Sequence, residues 1–160
     1  MKKIKILNYL VIALFLMNLI WFAQHLYYLN EPVKIMRNGE ITIPEYNPLK
    51  DYGFLLNLCF NFLFLIGIFF VQRGLYNIIK KGFFNTKSNS LFRKGGLLFI
   101  ISGFCNFFIN IIIPLLKGQN FFKIFIGNDF YILVIGLSLY LTADLIQDGS
   151  LLKQENDLTI

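Results

Sequence analysis

Residues 53–71 read GFLLNLCFNFLFLIGIFFV, a stretch without one charged side chain. A helix needs about 20 apolar residues to cross a hydrocarbon core of about 30 Å. This stretch meets that length. Three others resemble it, from about Ile6 to Leu29, Gly95 to Leu116 and Phe130 to Ile146. The last is the least apolar, because Thr142 and Asp144 fall near its end. In lipid, every backbone polar group must find a partner inside the protein. Segments of helix length therefore predict an all-α polytopic membrane protein with four transmembrane helices. Gly67, Gly103 and Gly136 fall one to a helix in the last three, where they allow close approach.

The whole composition agrees. Hydrophobic residues make up 56% of the 160 positions and charged residues 15%. Soluble domains carry about 25% charged residues. The mean hydropathy is +0.61. A soluble fold this short leaves too much surface in water to hide so many apolar side chains. The net charge is +6. The basic residues lie in short runs between apolar stretches, so topology and anionic headgroups account for them without direct nucleic-acid binding. Cys59 and Cys105 each sit inside an apolar stretch and read as small buried side chains.

The first stretch opens with Lys2, Lys3 and Lys5, as a signal peptide would. It is longer than a signal peptide's apolar region and no small-residue cleavage pattern follows. It ends instead in Trp21, Phe22, Tyr27 and Tyr28, residues suited to the membrane interface. It is expected to stay as a helix.

Orientation follows from the Lys and Arg count on each side. Ten fall on the side of the two termini and the 72–94 segment, against five on the other side. Both termini are therefore expected inside, in the inner, cytoplasmic membrane. The outer segment, about residues 30–52, predicts a small hairpin. Val33 to Met36 and Glu40 to Ile43 flank Arg37-Asn38-Gly39 there. The inner segment, 72–94, is basic, and Leu75, Ile78 and Ile79 at helical spacing predict a short interfacial helix. Residues 147–160 read as an acidic tail, which fits either the chain's own basic segment or a partner.

Two constellations are candidates for chemistry. Asn57 and Asn61 share a face of the second helix, and Asn106 and Asn110 share a face of the third. At 1.5 Å per residue these fall roughly 6 to 15 Å below the outer boundary, with overlapping depths. They form either a polar layer that ties helices together or the wall of a ligand site. Asp144 and Asp148, also four apart, are expected to pair with Arg73, Lys80 and Lys81 and lock the inner ends together. His25 is the only histidine, so neither a bis-histidine haem nor a zinc site is expected, and no cofactor is expected. No nucleophile–base motif stands out, so an enzyme is not expected.

Two motifs carry a resemblance. One is the C-terminus: Leu141 to Ile146, Gln147-Asp148-Gly149, then Leu151 to Ile160, ending Glu155-Asn156-Asp157-Leu158-Thr159-Ile160. The other is Ile78-Ile79-Lys80-Lys81-Gly82-Phe83-Phe84, followed by Asn89, Leu91, Arg93 and Gly95. In both, the chain resembles the bacterial membrane family known as domain of unknown function 2975. Phe83 departs from the family, where a proline or polar residue is common. The resemblance implies a four-helix membrane protein, often encoded beside a small helix-turn-helix regulator. The leading expectation is a membrane partner or anchor for such a cytoplasmic regulator. Its contact residues would be Lys80, Lys81, Arg93, Glu155, Asn156, Asp157, Thr159 and Ile160. The alternative is small-molecule binding, or a transport accessory, through the layer of Asn57, Asn61, Asn106 and Asn110.

Overall fold

The computed structural model describes residues 2–30, 35–37, 40–42, 52–116 and 128–158. Within them the chain forms four helices: α1 (Lys2–Asn30), α2 (Tyr52–Lys81), α3 (Thr86–Leu116) and α4 (Asn128–Leu158). Each holds a stretch long and apolar enough to cross a membrane. The helical, four-span architecture of a multi-pass membrane protein, with one short strand pair beside it, is thus what the structure gives.

Between α1 and α2, β1 (Ile35–Arg37) pairs antiparallel with β2 (Glu40–Thr42). The register sets Ile35 opposite Thr42 and Arg37 opposite Glu40. Residues 117–127 lie outside the described residues.

The helices are longer than hydropathy alone marks. α4, at 31 residues, measures about 46 Å, half again the hydrocarbon core. Three expectations change as a result. The second helix does not stop at Val71: Gln72 to Lys81 continue it, so no separate interfacial helix forms around Leu75, Ile78 and Ile79. The third begins at Thr86, not Gly95, which reduces the basic segment to a four-residue joint, 82–85. Residues 147–158 are the last turns of α4, not a separate tail. The cause is common to all three. Hydropathy falls where the bilayer ends, but a helix stops only at a breaker or cap, and none intervenes.

The joint shows what a real stop looks like. Gly82 takes φ 87°, a left-handed conformation natural to glycine, and its N–H bonds the Ile78 carbonyl at 2.9 Å. Asn85 then caps α3, its Oδ1 accepting from the Ser88 N–H at 2.8 Å. Its Nδ2 donates to the Gly82 carbonyl at 2.7 Å, so one side chain holds both ends of the turn.

Four residues leave α2 and α3 antiparallel and adjacent. Ser88, fully buried, donates from Oγ to the Gly74 carbonyl at 3.1 Å across the pair. The Phe99 ring covers Gly67, and Phe92 covers Gly74. α4 packs on the other flank of α3, where Gly96 and Gly136 bring the backbones together. α1 packs on α2, with the Phe22 and Phe62 rings 5.9 Å apart. The core joins Ile68, Val71, Leu75 and Ile78 of α2, Phe92 and Phe99 of α3, and Ala143 and Ile146 of α4. It sits toward the end of the bundle that carries the joint.

Candidate functional site

The joint end carries a row of polar contacts along the α3–α4 seam. Arg93 reaches across to Tyr140, donating from Nε at 2.9 Å and from Nη2 at 2.8 Å to one phenolic oxygen. Its guanidinium carbon also stands 5.0 Å from the Tyr140 ring centroid. One helical turn nearer the joint, Asn89 Nδ2 donates to Gln147 Oε1 at 3.0 Å. Asp144, one turn along α4 from Tyr140, lies within electrostatic reach of Arg93. The row holds because residues four apart on each helix share a face, and the two helices run antiparallel.

This arrangement fixes a cation rather than neutralising it. Tyr140 takes two of the five guanidinium N–H donors, leaving three not spent on it. Planar Arg with donors to spare is suited to oxyanions such as carboxylate and phosphate.

The residues expected to contact a partner separate into three levels. Lys80 and Lys81 form the last turn of α2, Lys80 Nζ standing 4.7 Å from the Tyr76 ring centroid. Arg93 belongs to α3, about 12 Å deeper than the joint at 1.5 Å per residue. Glu155 and Asn156 are exposed on the final turns of α4, and Asp157 lies within the same helix. Thr159 and Ile160 fall outside the described residues. Gly149 meets the Phe84 ring of the joint, so residues 150–158 overhang it by about 13 Å. Leu151, Leu152 and Leu158 on this overhang are exposed, as are Phe83 and Phe84.

The asparagine layer is uneven. Asn57 and Asn61 are half-buried and Asn110 is exposed. Asn106 is buried, with Oδ1 lacking a partner. One turn away, Ser102 is fully enclosed, and its Oγ also lacks one. Ser88, Phe92, Gly95, Phe99, Ser102 and Asn106 follow one stripe of α3, and its first four residues meet α2. Sequence reading missed Ser102, though its spacing of four from Asn106 was a usable signal. It also missed Tyr140 and Gln147, whose partners lie 47 and 58 positions away. The His25 ring lies tilted against Trp21 with centroids 3.8 Å apart, and its Nδ1 donates to the Trp21 carbonyl at 3.0 Å.

No curated protein and no solved structure matches the chain. A family match does exist, covering residues 34–160 and described as "Protein of unknown function (DUF2975)". It takes in the hairpin, the joint, the α3–α4 seam and the overhang, and begins after α1. On that match, and in keeping with the motifs of the joint and the C-terminus, the chain belongs to the DUF2975 family.

Proposed function

We propose that this protein lies in the cytoplasmic membrane with both termini inside and serves there as a membrane anchor for a soluble regulator. The role is binding, not catalysis. The observation that carries it is the overhang of α4. A helix that only had to cross the bilayer would have no use for nine further residues beyond the joint. Those residues present Leu151, Leu152 and Leu158 to solvent beside Glu155 and Asn156. An apolar and acidic helical tip, next to exposed Phe83 and Phe84, suits a helical groove on a partner. Lys80 and Lys81 add a basic rim. The helix-turn-helix identity of the partner rests on the family resemblance alone.

The test is a pull-down from gently solubilised native membranes, with the full chain set beside one ending at Gln154. The expected result is a helix-turn-helix protein captured by the full chain and lost with the shortened one. Capture by both would remove the role of residues 155–160. Capture by neither would remove the anchor reading.

A second reading draws on Asn106 and Ser102, whose unpartnered oxygens suit a small polar guest. Leaving a buried acceptor unmade costs about 1 to 3 kcal/mol, so Asn106→Leu is expected to hold stability or raise it by about 1 kcal/mol. Thermal unfolding in mild detergent reads this directly. A clear loss of stability would mark Asn106 as interhelical glue. Unchanged stability together with altered resistance of cells to a membrane-active compound would favour the guest.

A further inference from the structure

Arg93 stands at the edge of the seam, where α3 turns an outward face. Ser90, Arg93, Lys94 and Leu97 recur at helical spacing on it. With Leu98 of α3 and Phe70 of α2 they line an open cavity of about 400 Å³. Its polarity is graded along the helix axis. The hydroxyl and both cations lie toward the joint, while Leu97, Leu98 and Phe70 lie toward the middle of the bundle. No carboxylate lines it. Arg93 is steadied from behind by Tyr140, so its remaining donors are held in place rather than free to swing.

We propose that this cavity is a binding site for the headgroup of an anionic phospholipid. The phosphate meets Arg93, Lys94 and Ser90, and the first methylenes of an acyl chain cover Leu97, Leu98 and Phe70. A free phosphate would satisfy the cations and leave the apolar half uncovered. A zwitterionic lipid would bring its own cation against two others. An anionic lipid matches both halves, and its order of groups along the bilayer normal is that of the cavity. The site sits where α3 passes from its polar first turns into its apolar stretch, a transition that suits a lipid's phosphate-to-acyl boundary. Basic pockets between membrane helices are a recurring way of holding such headgroups. The assignment stands whatever the overhang of α4 binds.

The experiment uses the full chain in nanodiscs of phosphatidylcholine doped with phosphatidylglycerol, with retained lipid read by native mass spectrometry. The expected result is preferential retention of phosphatidylglycerol. Retention should fall about tenfold in Arg93→Gln/Lys94→Gln, the loss that follows from removing charge-assisted contacts, and hold in Lys2→Gln/Lys3→Gln. Equal loss in the Lys2/Lys3 variant would mean diffuse surface charge and overturn the site. So would the absence of any preference in the unaltered chain. A rise in melting temperature with inorganic phosphate as large as that with phosphatidylglycerol would replace the lipid by a free anion. Should the double variant fail to fold, Leu97→Trp fills the apolar half without touching a charge. Loss of the retained lipid there supports the site, and full retention overturns it.

Discussion

Gly96→Val is expected to part α3 from α4 and to cost about 3 kcal/mol, the upper end for forcing volume into a packed interior. A Cβ at Gly96 would come within 2.8 Å of the Gly136 carbonyl oxygen and 2.9 Å of the Tyr140 backbone nitrogen. A Cβ at Gly136 would meet the Ile100 nitrogen at 2.8 Å and the Gly96 oxygen at 2.9 Å. All four obstacles are backbone. They yield only if one helix moves bodily, and moving it also breaks the Arg93–Tyr140 contact nearby. Gly149 supplies the contrast. What a Cβ would meet there is the ring of Phe84, an exposed side chain able to swing aside. Gly149→Ala is therefore expected to be neutral, or to gain from the roughly 1 kcal/mol by which alanine favours a helix. Thermal unfolding in mild detergent, followed by circular dichroism, compares the two. If Gly96→Val melts with the unaltered chain, the α3–α4 contact is not where the structure places it.

Two neighbours on α4 should differ almost as much. Ile146 is 0% exposed and Leu145 68% exposed. Ile146→Ala opens a cavity among Ala143, Ile78 and the other core residues. Large-to-small changes in cores cost about 2 to 5 kcal/mol. The lower figure is expected here, because lipid is as apolar as the core and only packing is lost. Leu145→Ala should stay within about 0.5 kcal/mol, as surface changes do. Equal losses at both positions would mean that α4 is turned about its axis relative to this structure.

The four spans were legible because a run such as residues 53–71 has one reading in a chain this apolar. The family was legible from the joint motif and the C-terminal motif. Helix ends were not, because the sequence was read for apolarity, and Gln72 to Lys81 are polar enough to look like a loop. The true stop was there to be read in Gly82 and Asn85, a left-handed glycine followed by an N-cap residue. Gly67 and Gly136 were found as sites of close approach, and both do meet a neighbouring helix. Gly96, the partner of Gly136, was not. Nothing in a single helix shows which glycine faces which, since that needs the rotation of two helices and the register between them. Arg93 was found as a basic residue of the inner segment and not as the partner of Tyr140 for the same reason.

α1 differs from its neighbours in how little it gives to the bundle. Only 6% of its span is buried, against 33% for α3, and among the described residues it packs closely on α2 alone. That has a consequence for the order of synthesis. α1 leaves the ribosome before its partner exists, and must wait in the bilayer as a single helix. It is built to wait, because most of its surface faces acyl chains in the finished protein too. α2 and α3 have no such independence. Joined by four residues and bonded through Ser88 and Gly74, they suit entry as one pair. α4 arrives last of the four, onto a surface already formed. Of the four helices, α1 is therefore the one whose late docking would forgo least packing.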